Sequence, residues 1–115
     1  MRSVDLKFDF WILNRKVHLR LKSWNLSSFH PSDQKASFID VDIDSMPTIE
    51  QISSLLKMVD CDKKKELICS FLYELYVVYR NLYFTYMEIN PLVIKDGKVY
   101  VLDLAAKIDQ VWYQC

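Results

Sequence analysis

The chain has 115 residues, which suits one domain of ordinary size and is too short for two. Apolar residues make up 51% of the chain and aromatic residues 14%, so material for a core is present and a disordered segment is excluded. Fifteen basic residues balance fifteen acidic ones. A net charge of zero argues against a nucleic acid or an anionic membrane as the partner.

The numbers of glycine and cysteine residues exclude further classes of protein. The single glycine, Gly97, excludes a P-loop and a Rossmann fingerprint, because both need several glycines for close approach of the backbone to phosphate. The three cysteines, Cys61, Cys69 and Cys115, show neither C-x-x-C spacing nor an even disulfide framework. They indicate reduced thiols in a cytoplasmic protein. The N-terminus shows no signal-peptide pattern, and no apolar run is long enough for a membrane span.

Alternation of apolar and polar residues predicts three strands in the first part of the chain, at residues 4–12, 17–21 and 39–43. The first two are close enough for a hairpin with its turn at residues 14–16. The polar stretch 25–34 contains Pro31 and predicts a loop.

Helical spacing predicts two helices in the middle of the chain. The first begins at Pro47 and extends to Val59, and Asp62 caps the second. The second helix carries apolar residues on more than one face, so it is expected to be sandwiched. These residues are Leu67, Phe71, Leu75, Val78 and Leu82 on one stripe and Ile68, Leu72, Tyr76 and Tyr79 beside it.

A second hairpin is predicted near the C-terminal end. Residues 84–89 form a strand that Pro91 interrupts and residues 92–94 continue, and residues 99–104 return after the turn signal Asp96-Gly97. The predicted fold class is α/β (α+β), with two helices packed on a mixed, mainly antiparallel sheet.

The Asp96-Gly97 turn fixes the register of this hairpin, since the numbers of facing residues then always add up to 193. Asn90 faces Asp103, and alternation places Glu88 on the same face. Facing Cβ atoms lie roughly 4.5–5.5 Å apart, so an amide oxygen and a carboxylate at these positions could bind one Mg²⁺ ion. The same alternation assigns Leu92 and Ile94 to this face and Met87 and Ile89 to the other. Both faces are then mainly apolar, and the hairpin is expected to be covered on both sides.

The same polar residues have a purely structural explanation. Asn90 precedes Pro91 and could serve only to turn the strand, Asp103 could accept backbone amides, and Glu88 could reach solvent. Residue spacing alone leaves both explanations open. The two histidines, His18 and His30, have no partner at metal spacing and are expected at the surface or in a loop.

Two segments are similar to a known family. DKKKELI from residue 62 and LYFTYMEINPLVIKDGKVYVLDLAAKID over residues 82–109 resemble the ATP-grasp region of the ATP-citrate lyase (ATP-citrate synthase) family. More distantly, they resemble the succinyl-CoA synthetase β subunit, which shares the E-x-N-P…L-D pattern. The resemblance is closest over residues 62–109. It implies that residues 1–115 form a single partial ATP-grasp domain.

The resemblance implies a role for each polar residue of the hairpin. The cofactors would be Mg²⁺ and ATP, with Asn90 and Asp103 as ligands of the metal and the nucleotide phosphates. Glu88 would be the catalytic residue, near the transfer of a phosphoryl group to histidine. The family's reaction converts citrate, CoA and ATP into acetyl-CoA and oxaloacetate in the cytoplasm, for lipid synthesis.

The chain also departs from the family pattern. The phosphate-binding lysine and the Gly-rich loop are not recognisable, and residues 23–27 replace a family E-G-G turn. A fragment, a truncated isoform or an incomplete gene model is therefore expected, an enzyme by family but inactive as this isolated chain. The alternative is a truncated, non-catalytic remnant or interaction module. Exposed strand edges and the apolar residues Phe8, Phe10, Tyr83 and Phe84 would favour self-association or association with complementary ATP-citrate lyase segments.

Overall fold

The computed structural model describes residues 4–23, 36–59 and 61–108. The predicted loop at 25–34, which includes His30, and the predicted helix break at Asp60 lie outside these residues. The described chain forms two helices and six strands: β1 (Val4–Leu13), β2 (Lys16–Ser23), β3 (Ala36–Asp42), α1 (Ile49–Leu55), α2 (Asp62–Asn81), β4 (Phe84–Lys95), β5 (Lys98–Val101) and β6 (Leu104–Ile108).

The strands form one antiparallel sheet in the order β3-β2-β1-β4-β5, and β6 also pairs with β4. The long strand β4 carries β5 along one half of its edge and β6 along the other half. Residues buried in the core come from β1, β2, β4 and, through Val41, β3 on the sheet, and from both helices. The predicted mixed fold with two helices on a mainly antiparallel sheet is confirmed.

Both hairpins close with two-residue turns whose central residues have positive φ. The values are 54° at Asn14 and 61° at Arg15, and 53° at Asp96 and 72° at Gly97. Positive φ at both central residues is typical of type I′ turns, which match the twist of the flanking strands. The first turn is one residue shorter than predicted, because Lys16 already pairs with Leu13.

The predicted register of the second hairpin is confirmed along nearly its whole length. Lys95 pairs with Lys98 next to the turn, and Glu88 still pairs with Ala105 in β6. Between β5 and β6 the Asn90 amide donates to the carbonyl oxygen of Asp103 at 3.1 Å. Asn90 and Asp103 are therefore main-chain partners, as the sum of 193 predicts.

β4 is continuous through Pro91, contrary to the predicted interruption. The Asn90–Pro91 peptide bond is cis. A β-bulge lies at the same point, where β4 advances by three residues while β1 advances by two. Leu6 pairs with Leu92, whereas Phe8 pairs with Ile89.

The bulge changes which side chains share a face. Met87 and Ile89 are buried in the core, and so are Leu92 and Ile94 beyond the bulge. The prediction that Leu92 and Ile94 lie on the face of Glu88 is therefore wrong. A period of two cannot anticipate a bulge, since the extra residue inverts the alternation.

The helix starts differ from the predicted ones. α1 begins after Thr48, whose side-chain oxygen accepts from the Gln51 amide at 3.1 Å while the Gln51 side chain accepts from the Thr48 amide. This capping box moves the start two residues beyond Pro47. The cap residue of α2 is Cys61, which makes no side-chain capping bond, and Asp62 is the first helical residue.

α2 buries one face fully against the sheet, and the other predicted stripe is covered only in part. Its buried residues are Ile68, Leu72, Tyr76 and Tyr79, whereas Val78 and Leu82 at the end of the other predicted stripe are exposed. Leu67, Phe71 and Leu75 at the start of that stripe are half-buried against the core, so within the described residues the second stripe is covered over its first part and exposed at its end. No helix in the described ranges is both long enough and apolar enough to cross a membrane.

Aromatic rings fill the space between α2 and β1. The rings of Phe8 and Phe10 meet edge to face with centroids 4.6 Å apart, and Phe10 lies 4.9 Å from Tyr79. Phe8 and Phe10 are fully buried, so the expectation that they are exposed is wrong. Tyr83 is exposed as expected, and Phe84 is half-buried.

Two buried tyrosines on α2 allow a matched test of hydrogen bonding in the core. The Tyr76 hydroxyl donates to the carbonyl oxygen of Ser45 at 3.0 Å, whereas the Tyr79 hydroxyl is buried without a partner among the described residues. Tyr76→Phe should therefore lower the free energy of unfolding by about 1 kcal/mol. Tyr79→Phe should leave it unchanged or raise it, because it removes an unsatisfied buried polar group.

Urea unfolding followed by circular dichroism measures both variants against the parent chain. Equal destabilisation by the two substitutions would contradict the assignment, since it would mean that both hydroxyls have protein partners.

Candidate functional site

The face of the sheet turned away from the helices carries the polar side chains. Residues of β1, β2 and β4 alternate, so the neighbours of buried residues point to this side. We call the following set the polar face: Lys7, Asp9, Trp11, His18, Arg20, Tyr86 and Glu88. Adjacent strands bring these residues into facing pairs.

A buried ion pair lies at the centre of the polar face. Asp9 is 2% exposed, and its Oδ2 accepts from Nε of Arg20 at 2.8 Å and from Nη2 at 2.7 Å. Arg20 also lies over the Trp11 ring, with its guanidinium carbon 5.7 Å from the centroid. A buried carboxylate is costly unless it is paired, so removing Arg20 alone would strongly destabilise the fold.

Glu88 faces Asp9 from the neighbouring strand, and like charges at facing positions repel. Its Oε1 lies 3.4 Å from Nζ of Lys7, and its Oε2 accepts from the Tyr86 hydroxyl at 2.8 Å. The Tyr86 hydrogen bond, followed by the Lys7 charge and a bond from the Asn90 side chain, lowers the pKa of Glu88 against the opposing effect of burial. Glu88 is thus held as a carboxylate.

The hydrogen bond between Tyr86 and Glu88 also affects the pKa of Tyr86. Burial first, and then the hydrogen bond to Glu88 and the nearby carboxylates, raise the pKa of Tyr86 to about 12. The phenol is the hydrogen-bond donor of this pair and keeps Glu88 in one orientation.

A second polar row crosses the sheet beside the ion pair. His18 stacks on Trp11 with ring centroids 5.4 Å apart, and its Nδ1 lies 2.5 Å from Oδ1 of Asp40 on β3. Its Nε2 lies 3.2 Å from the carbonyl oxygen of Leu13. His18 therefore lies half-buried on the outer face of the sheet and takes part in a cross-strand network.

The three predicted site residues lie at the edge of this face. Asn90 and Asp103 are main-chain partners, and the Asn90 side chain hydrogen-bonds Glu88. Asp103 is exposed and forms no ion pair within the described residues. The three residues are neighbours, as predicted, and their metal and catalytic roles stay predictions.

The donor set fits a hard cation only in part. Asn90 and Asp103 offer an amide oxygen and a carboxylate, the ligand types that Mg²⁺ takes along with several waters. Glu88 is engaged by Lys7 and Tyr86. Within residues 4–23, 36–59 and 61–108, no group of three or more His, Cys, Asp or Glu side chains could hold a metal alone. A bound cation would thus need further ligands from water or phosphate.

The prediction from sequence missed most of the polar face. Lys7 and Asp9 on β1 and Arg20 on β2 lie far from the predicted residues in the chain, whereas Tyr86 lies two residues before Glu88 on the same strand. The signal that could have found Asp9 and Arg20 is the first hairpin, where facing residue numbers add up to 29 around the Asn14-Arg15 turn.

Known proteins with related sequences are ATP-citrate synthases. The chain is 47% identical over 77 residues to ATP-citrate synthase of Homo sapiens and of Bos taurus, and this match covers 67% of the chain. A probable ATP-citrate synthase subunit 2 of Schizosaccharomyces pombe is 45% identical over 62 residues. The matched segment of this chain belongs to the ATP-citrate synthase family. No model of a protein family matches the chain.

The fold agrees with this assignment. The structure of ATP citrate lyase from Methanothrix soehngenii in complex with citrate and coenzyme A matches 96% of the chain with a TM-score of 0.69 at 20% identity. The chain covers 26% of that protein and 7% of the human and bovine ATP-citrate synthases. It thus corresponds to a small part of the relatives that it matches.

The lowered pKa of Glu88 predicts a pH dependence of stability. A carboxyl whose pKa is lower in the folded state than in the unfolded chain stabilises the fold above its ordinary value near 4.5, and this contribution is lost as the pH falls through the folded-state pKa. Glu88→Gln should therefore unfold at a lower urea concentration than the parent chain at pH 7. The difference should shrink as the pH falls below 4.

Urea midpoints at pH 7, 5, 4 and 3 measure this effect, with Asp44→Asn as the control, since Asp44 is exposed and pairs only with exposed Arg15. A Glu88→Gln difference that stays constant over this range would contradict the assignment.

Proposed function

We propose that this chain acts as the part of an ATP-citrate synthase that holds the phosphates of a magnesium nucleotide. The proposal rests mainly on the pairing of Asn90 with Asp103 in an ATP-citrate synthase sequence. Asn90 and Asp103 would hold Mg²⁺ against the phosphates, and the ion would neutralise phosphate charge there. In this proposal the segment is part of an ATP-grasp domain.

The polar face supplies cations suited to the same ligand. Lys7 on β1 lies opposite the bulge of β4, Arg20 lies one strand further away on β2, and each is bound to a carboxylate. They orient the carboxylates of Glu88 and Asp9, so the negative charge near the proposed metal is fixed in position. Preorganised charge of this kind costs no reorganisation when a phosphate ligand binds.

Glu88 is the proposed catalytic residue. As a carboxylate at neutral pH it can accept a proton or a hydrogen bond, and Tyr86 and Lys7 fix its two oxygens. If the family resemblance extends to this residue, Glu88 would lie near the transfer of a phosphoryl group to histidine. Such a group acts by orienting its partner and by accepting a hydrogen bond from it.

The reaction of the whole protein would be the family's reaction. Citrate, CoA and ATP would give acetyl-CoA and oxaloacetate, for lipid synthesis in the cytoplasm. The ATP citrate lyase of Methanothrix soehngenii forms a complex with citrate and coenzyme A, which are two of these substrates. The 115 residues would contribute only the phosphate and metal end.

The isolated chain is expected to turn over neither ATP nor citrate. Phosphoryl transfer needs several groups that position and neutralise the phosphates at once, and a chain with one glycine cannot build a glycine-rich phosphate cradle. Citrate- and CoA-dependent ADP release by the purified 115-residue chain should not exceed that of its Asp103→Ala variant. Release clearly above that control would overturn this expectation.

Metal binding can be measured without turnover. Mn²⁺ in place of Mg²⁺, added together with ADP to the ¹⁵N-labelled chain, should broaden the amide signals of Asn90 and Asp103 through its unpaired electrons. Asp103→Asn should remove the effect, whereas Asp42→Asn, at an exposed acidic residue of β3, should keep it. Broadening that is equal in both variants would mean non-specific binding of Mn²⁺ and would contradict the metal site.

One observation favours a second candidate function, that of an interaction module. The outer edge formed by β5 and β6 is apolar and exposed, with Leu102 at 64% and Leu104 at 46% exposure. This corrects the expectation that the hairpin is covered on both sides. An exposed apolar edge strand offers unpaired backbone groups to another strand. We infer that this edge pairs with a second copy or with a complementary ATP-citrate synthase segment.

Sedimentation velocity at tens of micromolar tests this association. The parent chain should sediment as dimers or larger species, and Leu104→Lys on β6 should shift it towards monomer, because a charged residue on an edge strand opposes pairing. Leu13→Lys, at an exposed leucine at the end of β1, is the matched control and should change little. A single monomeric species of the parent chain with cooperative unfolding would exclude the association.

A further inference from the structure

Three polar side chains follow one another along β4 at every second residue. Tyr86, Glu88 and Asn90 therefore point to the same side of the strand, up to the bulge at Asn90–Pro91. The Tyr86 hydroxyl donates to Oε2 of Glu88 at 2.8 Å, and the Asn90 side chain hydrogen-bonds the same carboxylate. Glu88 is thus the middle member of a continuous row of hydrogen bonds.

The carboxylate of Glu88 decides which end of the Asn90 amide faces it. Its Oε1 lies 3.4 Å from the ammonium group of Lys7, and its Oε2 accepts from the Tyr86 hydroxyl. A carboxylate only accepts hydrogen bonds, so Asn90 presents its NH2 group to Glu88 and not its oxygen. The two ends of a planar amide point in different directions. The amide oxygen of Asn90 is therefore turned away from Glu88.

The main chain of Asn90 is fixed independently of this bond. Its N–H donates to the carbonyl oxygen of Asp103 at 3.1 Å, where β5 ends. Rotation about the last side-chain bond remains, and it can exchange the places of the amide oxygen and nitrogen. The hydrogen bond to Glu88 selects one of these two orientations. The choice matters for a metal ligand, because an amide oxygen binds a cation and an NH2 group does not.

We propose that Tyr86 is a positioning residue that acts through Glu88, so that Asn90 offers its oxygen and not its NH2 group to a divalent cation. This inference rests on the metal role of Asn90 proposed above. Tyr86 is not itself a proposed ligand, and its hydroxyl acts by holding the Glu88 carboxylate in place. Groups that orient a metal ligand by a hydrogen bond typically change metal affinity by roughly 10- to 100-fold when they are removed.

A different explanation is that the Tyr86 hydroxyl only stabilises the sheet. Tyr86 faces Trp11 on β1, so a change at this position could loosen the pairing of the two strands. General loosening would affect main-chain amides of β4 as well as side chains. The orientation effect would reach the side-chain amide of Asn90 alone, and the experiment therefore measures the two kinds of amide separately.

Exchange of amide protons with solvent tests this effect without any metal. In the ¹⁵N-labelled full chain, the NH2 protons of Asn90 should exchange more slowly than those of Asn14, an exposed residue of the first turn. Tyr86→Phe should speed the exchange at the Asn90 side chain about threefold and leave the main-chain amide of Ile89 unchanged. Tyr100→Phe, at an exposed tyrosine of β5, is the matched control and should change neither.

A second substitution shows whether Tyr86 acts through Glu88. Glu88→Ala removes the carboxylate and should speed the exchange at the Asn90 side chain by more than Tyr86→Phe does. Tyr86→Phe added to Glu88→Ala should have no further effect, since two groups in one chain of hydrogen bonds are not additive. Unchanged exchange at the Asn90 side chain in Tyr86→Phe, a full further increase in the double variant, or equally faster exchange at Ile89 would each overturn the proposal.

Metal affinity connects the orientation to the proposed function. Tyr86→Phe should weaken the binding of Mn²⁺ in the presence of ADP about tenfold, measured by the broadening at Asn90 and Asp103. Tyr100→Phe should leave this affinity unchanged, and an unchanged affinity in Tyr86→Phe would contradict the proposal. If the parent chain binds no Mn²⁺, the proposed nucleotide site fails, and the exchange rates still decide whether Tyr86 and Glu88 orient Asn90.

Discussion

The β-bulge at Asn90–Pro91 is the constraint on which both faces of the sheet depend. β4 must place Met87 and Ile89 in the core on one side of the bulge and Leu92 and Ile94 in the core on the other. A strand of strict alternation would turn one of these pairs towards solvent. The single extra residue relative to β1 keeps all four inside. On the other edge of β4 the Asp96-Gly97 turn sets the register, and the Asn90 amide donates to the carbonyl oxygen of Asp103, where β5 ends and β6 has yet to begin.

The face of the sheet opposite the core carries four charged side chains close to the bulge. Glu88 faces the buried carboxylate of Asp9, and this repulsion is offset by Lys7 on one side and Arg20 on the other. The two carboxylates and two cations therefore support one another across three strands. A change at one of them alters the electrostatic surroundings of the others, so their contributions to stability will not be additive.

The sequence predicted the second hairpin well because a two-residue turn fixes every later pair. The same arithmetic applied to the Asn14-Arg15 turn would also have predicted that Asp9 faces Arg20. The bulge could not be predicted, because the alternation of apolar and polar residues does not reveal an extra residue in one strand. The buried face of α2 could not be predicted either. The helix is apolar on two sides, and which side is buried depends on where the sheet lies.

The order of the strands also has a consequence for how the chain folds. β1 lies at the centre of the sheet, yet one of its two neighbours is β4, and Leu6 pairs with Leu92. The two hairpins can close early from local contacts, but joining them requires closure of a loop that contains both helices. Until that step, one edge of β1 is unpaired. During synthesis, this edge would stay open to other chains until β4 has left the ribosome.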